Sequence, residues 1–237
     1  MKLRVKFRKY GALKFISHLD VMRFFQKALR RAEIDVAYTT GFSPHQIMSF
    51  AAPLGLGQES NGEYVDIEVN TPISSQDFIE RFNACSAEGI EVTDVRLLPE
   101  KAVGAMASVT AAEYRIRFRE GRAPVGDWQY AFEQFMSQDE ILFEKKTKKS
   151  TSVVNLKEGI LDWRLEENCV WCILSTGSVL NIRPDAFLEA FFAYLKQDMP
   201  QNALLITREE TYGKITDPVT LEEKRLPLAD FGIWVAP

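Results

Sequence analysis

Cysteine and histidine are scarce in this chain, at three and two of 237 residues. Cys85 stands alone, and Cys169-Val170-Trp171-Cys172 lies in a stretch that reads as a strand, where residues three apart point to opposite faces and share neither a disulfide nor a metal. Two histidines without cysteines at ligand spacing exclude a zinc-finger pattern, and no metal, iron–sulfur cluster or other cofactor is expected. Also missing are an apolar run long enough to span a bilayer and a signal-peptide core, so the expected setting is a reducing cytoplasm, away from membranes. The loop Pro53-Leu54-Gly55-Leu56-Gly57-Gln58-Glu59-Ser60-Asn61-Gly62 is glycine-rich, but it lacks the lysine and hydroxyl of a P-loop and the strand–helix setting of a dinucleotide fingerprint. A large excess of either charge is absent too: the formal net charge of −4 argues against a protein that coats nucleic acid through a broad basic surface.

The charge that is present is uneven. Residues 1–31 hold ten Lys/Arg against one acid, Asp20. Both histidines, His18 and His45, fall within residues 10–66, where a basic helix, a Gly-Phe-Ser-Pro-His turn and the glycine-rich loop follow each other closely. That is how a site looks when loops carry it on a rigid scaffold. Ser17 with Asp20 three residues on forms a capping-box-like pattern, which makes His18 the first helical residue, beside the unpaired N–H groups of an anion-attracting helix end. Val21, Met22, Phe25, Ala28, Leu29 and Ala32 recur at helical spacing as the buried face, and Arg23, Lys27 and Arg30 follow one another on the other. In Gly41-Phe42-Ser43-Pro44-His45 the glycine permits a positive φ and the proline stiffens the turn, so His45 is held in place. His18 and His45 with Asp20 or Glu63 are the one set that offers a metal alternative.

These residues carry a resemblance. F-I-S-H-L-D-V-M-R, A-L-R-R-A, G-F-S-P-H and S-F-A-A-P-L-G-L-G with E-S-N-G-E-Y-V-D resemble an uncharacterised radical-SAM-linked protein family of bacteria, whose members occur beside or fused to radical-SAM proteins with a cobalamin-binding-type domain. Echoes continue in Asn181-Ile182-Arg183-Pro184-Asp185 and Thr207-Arg208-Glu209-Glu210. The resemblance implies a radical-SAM partner and, as motif positions, Ser17, His18, Asp20, Arg23, Gly41, Phe42, Pro44, His45, Ser49 and Glu63; it implies no settled activity.

Along the chain, Leu3, Val5 and Phe7 alternate with Arg4, Lys6 and Arg8 as a strand covered on one face. The basic helix, strands near 36–38 and 63–69, a helix over 75–85 capped by Ser74 and a strand over 91–97 complete a βαββαβ order, the ferredoxin-like unit. Residues 101–112, small and aperiodic, read as a linker. The pattern then repeats: Tyr114, Ile116 and Phe118 alternate with Arg115, Arg117 and Arg119, a helix carries Trp128, Phe132 and Phe135, residues 161–165 and 170–174 form a hairpin, a helix starts at Pro184, and residues 203–207 close the sheet. The fold class expected is therefore α+β, two tandem ferredoxin-like domains with antiparallel sheets over 1–100 and 113–213, with a tail over 214–237 docking through its aromatics. The uncovered face of the first sheet is expected to set Arg4, Lys6 and Arg8 beside Tyr64, Asp66 and Glu68, with cross-strand ion pairs to the acids each worth about a fraction of a kcal/mol.

Three functions compete. The first is an accessory module holding an anionic substrate, RNA, for a radical-SAM enzyme, with Ser17, His18, Asp20, Arg23, Lys27, Gly41, Phe42, Ser43, Pro44, His45, Ser49 and Glu63 as its site and Lys145, Lys146, Lys148 and Lys149 as a second basic patch. The second is a metal-independent RNA endonuclease, with His18 or His45 taking the 2′-hydroxyl proton and Arg23 stabilising the phosphorane-like charge. The third is a protein–protein docking module without nucleic acid, centred on Phe42, Pro44 and Phe50.

Overall fold

The apolar/basic alternation at the start of the chain forms the strand that the rest of the first half packs on. In a computed structural model that describes residues 1–146, 151–177, 180–216 and 220–237, with backbone alone at 145–146 and 151–152, this strand is β1 (Lys2–Lys9). After a 3₁₀ turn at Gly11–Phe15 come α1 (His18–Arg31), β2 (Met48–Phe50), β3 (Glu59–Glu68), α2 (Ser75–Ala84), β4 (Ile90–Leu97), α3 (Ala105–Ser108) and β5 (Val109–Phe118). The remainder comprises α4 (Trp128–Met136), β6 (Leu142–Lys146), β7 (Thr151–Asn155), β8 (Ile160–Glu166), β9 (Cys169–Ser175), α5 (Pro184–Tyr194), β10 (Leu204–Thr216) and β11 (Glu223–Pro227). It is a mixed α/β fold with few helices and mostly antiparallel strand pairing.

The chain divides into two compact units, residues 1–110 with 208–237 and residues 111–207. The expected boundaries at 100, 113 and 213 differ from this division. Residues 101–112 hold α3 and the start of β5, and β10 begins in the second unit and ends in the first. The reason lies in its second half, where Thr211 Oγ1 donates to the Gly62 carbonyl at 2.7 Å. Gly62 admits that approach because a Cβ there would lie 2.6 Å from Glu210 Cα.

In the first unit β1 pairs with both β3 and β4, and β2 pairs with the far side of β3. Leu3, Val5, Phe7, Val65 and Ile67 turn one sheet face toward Val21, Phe25 and Leu29 of α1 and Phe78 and Phe82 of α2. Both helices start where their caps predict: Ser17 accepts from Asp20 N and Ser74 from Asp77 N. Two expectations change. Residues 36–38 form isolated bridges, Val36 to Val69 and Tyr38 to Gln46, instead of a strand, and the paired strand is β2. Glu59–Gly62, expected in the glycine-rich loop, belong to β3.

The sheet face expected to be open is covered around Arg4 and Asp66, which are 1% and 3% exposed. Arg4 grips the Asp66 carboxylate with two bonds, at 2.8 and 3.0 Å, and Ala105 N donates to it at 2.7 Å. Val103 and Leu228 carbonyls take two further guanidinium donors. The ion pair is thus buried and held by several hydrogen bonds, and its loss costs more than that of a surface pair. The tail docks on this unit, with Leu97 N donating to Ile233 O at 2.8 Å and Arg96 lying over the Trp234 ring.

In the second unit β9 lies between β5 and β8, and α4 and α5 cover Tyr114, Ile116, Val170, Cys172 and Leu174 with Phe132, Phe135, Phe187 and Phe191. Cys172 sits in this core, where burial pushes its thiol well above the ordinary range, and Cys169 is half-buried and outside it. The β6–β7 hairpin carries Lys145 and Lys146, opposite Ser152 and Thr151. Lys148 and Lys149 of the expected second basic patch lie outside the described residues.

Candidate functional site

The start of α1 is held from below by buried charge. Lys9 falls on the inward register of β1 and is 3% exposed; its Nζ donates to the carbonyls of Lys14 and Ile16, the last turn before the helix. Burial lowers its pKa, and the negative charge of Glu63 acts in the opposite sense. Glu63 is itself buried, and Arg208 Nη1 donates to it at 2.9 Å while reaching the carbonyls of Ala52 and Pro53. Glu63, a motif position expected at the site surface, therefore lies beneath it. One buried carboxylate, flanked by Lys9 and Arg208, secures the loop before α1 and the Pro53-Leu54-Gly55-Leu56-Gly57 loop.

Those two loops also bind each other. Gly57 N donates to Lys14 O at 2.9 Å, and Lys14 Nζ pairs with Glu59 at 3.0 Å. Phe15 lies against Gly57, where an added Cβ would be 3.7 Å from Phe15 Cε1. Phe15 and Leu56 project into solvent from these tied loops, and Leu19 from the first turn of α1, 61%, 69% and 59% exposed.

At the helix end the Ser17 hydroxyl donates to Asp20 Oδ2 at 2.6 Å and accepts from Asp20 N. That hydroxyl is the main reason why the Asp20 carboxyl titrates below its usual range; Arg23, 3.2 Å away, adds to the effect. An acid is thus already seated at the positive helix end, which opposes a second anion there. His18 is half-buried and packs edge-on against Phe50, ring centroids 5.2 Å apart. Further along, Arg23, Lys27, Arg30 and Arg31 are exposed, and among the described residues no carboxylate pairs with Lys27, Arg30 or Arg31.

The Gly-Phe-Ser-Pro-His loop is a separate, exposed support. Gly41 has φ +115, the conformation its residue type was expected to supply. His45 is tied to Thr39 through its backbone N–H and through a 3.1 Å contact between Nδ1 and Thr39 Oγ1. Phe42 at the tip is fully exposed. No hydrogen bond or ring contact joins His18 to His45 among the described residues. Ser49 lies opposite Asp66 on β2, on the face away from Phe50 and His18. The structure thus groups Ser17, His18, Asp20, Arg23 and Lys27 on one helix, places Gly41, Phe42, Ser43, Pro44 and His45 on one loop, and sets Ser49 and Glu63 apart from both.

Sequence reasoning passed over Phe15, Leu19 and Leu56, and it passed over Lys9 and Arg208 as supports. Lys9 had a signal, since it continues the inward series Leu3, Val5, Phe7; the exposure of Phe15 and Leu56 on loops and of Leu19 in the first turn of α1 had none. Among the described residues no group of three metal-ligating side chains comes together, and no helix is long and apolar enough to cross a membrane.

The second unit has a cleft of its own, about 840 Å³, between the β6–β7 hairpin and α5. Asn181, Ile182 and Arg183 of the Asn-Ile-Arg-Pro-Asp run line it, with Ala186, Glu189 and Ala190 of α5. Arg183 is engaged by Asp185, and burial, followed by the Asp185 charge, raises the pKa of Glu189.

Two comparisons with known proteins bear on this geometry. Residues 2–184 match the model of a family described as an uncharacterized protein conserved in bacteria (DUF2344). A search of the curated proteins finds no match.

Proposed function

We propose that this chain, which belongs to the DUF2344 family of uncharacterized proteins conserved in bacteria, is an accessory RNA-binding protein that presents its ligand to a radical-SAM enzyme. The observation that carries the RNA part is the exposed face of α1, where Lys27, Arg30 and Arg31 have no acidic partner among the described residues. A row of exposed cations along one helix is an electrostatic footprint for phosphates. The radical-SAM partner is suggested by the sequence motifs, and fully exposed Phe42, on a loop stiffened by the Thr39–His45 bonds, is a suitable contact for it. The reading keeps two ferredoxin-like repeats as its scaffold, in line with the strand sequences β4-β1-β3-β2 in the first unit and β10-β5-β9-β8 in the second. An endonuclease reading has less support, because Arg23, its charge-stabilising residue, is paired with Asp20, and among the described residues no hydrogen bond joins it to His18 or His45.

The test is RNA binding against ionic strength, for the natural protein and for Lys27→Ala/Arg30→Ala. The double variant should bind more weakly, and the slope of log affinity against log salt should fall by about 1.4, or roughly 0.7 for each phosphate of a single strand that is no longer neutralised. An unchanged affinity and slope would reduce the helix to a solvated basic face.

A further inference from the structure

We infer that the ligand of the α1 surface is single-stranded RNA, one base of which stacks on Phe15. The inference rests on the RNA reading above and adds the strandedness of the ligand and the position of its unpaired base. Leu19, Arg23, Lys27 and Arg30 are spaced by four, four and three residues, so they share one face of α1. Phe15 ends the 3₁₀ turn that leads into the helix, two residues before the Ser17 cap. All five are exposed. The four helical residues make one stripe, apolar at its start and cationic for the rest, about 16 Å long at 1.5 Å per residue, and Phe15 stands in the turn before it.

The two ends of the stripe ask for different chemistry. Phosphates suit Lys27 and Arg30. They do not suit the first turn, where the Asp20 carboxylate accepts from the Ser17 hydroxyl and pairs with Arg23. What the approach to the helix offers instead is Phe15 and Leu56, on loops that Lys9 and Arg208 hold, and Leu19 in the first turn of α1, three large exposed apolar side chains. Single exposed apolar residues are ordinary, but here an exposed aromatic ring stands two residues before the cap of the helix that carries the cations. Lys14 Nζ lies 5.6 Å from the Phe15 ring and is tethered to Glu59, and Gly57 backs the ring, so it is pre-positioned rather than loose. A basic track combined with an aromatic platform is the means by which proteins hold single strands, because each unpaired base has a π-face to stack. A duplex keeps its bases inside and leaves Phe15 without a partner.

The experiment is fluorescence anisotropy with a labelled, unstructured 12-nucleotide RNA and with the same strand annealed to its complement, using the full chain as natural protein, Phe15→Ala, Phe15→Tyr and Lys27→Ala/Arg30→Ala. The single strand should bind at least tenfold tighter than the duplex. Phe15→Ala should weaken it by about five- to a hundredfold, the range for losing one base–aromatic stack. Phe15→Tyr should restore binding, and neither substitution should alter the salt slope, since neither removes a cation. A duplex that binds as well as the single strand overturns the inference. So does Phe15→Ala binding as well as the natural protein while Lys27→Ala/Arg30→Ala binds worse, an outcome that leaves the RNA reading standing and assigns the apolar rim to a protein partner. If neither RNA binds at low salt, the RNA reading itself falls. Phe15 is mostly exposed, so an unchanged urea midpoint is expected for its variants and keeps loss of binding apart from loss of fold.

Discussion

Glu63 shows how much a single buried group can do here. It is 7% exposed, bonded to Arg208, and its negative charge also acts on Lys9; the two cations hold four loop carbonyls between them, those of Lys14, Ile16, Ala52 and Pro53. Removing the carboxylate leaves positive charge buried without its counter-charge, a loss of about 3–5 kcal/mol. Glu63→Ala should therefore lower stability by that order in urea denaturation, and it should loosen both loops, seen as faster amide exchange at Gly57, whose N–H is bonded to Lys14 O. A cost below about 1 kcal/mol would mean that the cluster relaxes or hydrates without it. The residue was legible as a motif position, whereas its role was not. In the sequence Glu63 shares the parity of Val65 and Ile67, the inward face of its strand, as its place opposite Phe7 bears out; what no local pattern gives is Arg208, the distant cation that partners it there.

At the scale of elements, α1 was the most legible part. Its cap, first residue and buried face all follow from spacing, because a helix end and an amphipathic face are local properties. Ser17→Ala removes the cap and should cost about 0.5–2 kcal/mol. It should also change the acid limb of stability. The Asp20 carboxyl is lowered in the folded state, chiefly by the Ser17 hydroxyl, so its contribution is full above the ordinary carboxylate range and is lost as pH falls through the depressed folded value. Urea midpoints should therefore show a smaller gap between natural protein and variant near pH 2 than at pH 7. A gap that is constant with pH would mean that the hydroxyl acts on the backbone N–H alone. The strands were less legible. Residues 36–38 have strand composition but meet their partners only at isolated bridges, and Glu59–Gly62 have loop composition but are drawn into β3. Pairing partners lie far away in sequence, so a strand's length is set by what stands beside it.

For the molecule as a whole, the docking tail has a structural task. Ile233 exchanges two backbone hydrogen bonds with Leu97, on the side of β4 that β1 leaves open, and Val235 bonds the start of α2 through Ser75. An uncovered edge strand invites pairing with a second chain. Ending the chain after Gly232 should speed hydrogen exchange at Leu97 and Ser75 and raise concentration-dependent association in light scattering. Unchanged exchange at Leu97 would show that the edge is protected by other means.

The sequence by itself determined the mixed α and β content, the helix caps and the basic character of α1, because each depends on residues within a turn or two of one another. Tertiary structure alone decided the rest. It set β10 to end in the first unit, covered Arg4 and Asp66, paired the buried Glu63 with Arg208, and left Phe15, Leu19 and Leu56 exposed. These outcomes depend on contacts between residues as many as 224 apart, as from Arg4 to Leu228, and no local pattern records which distant groups will meet.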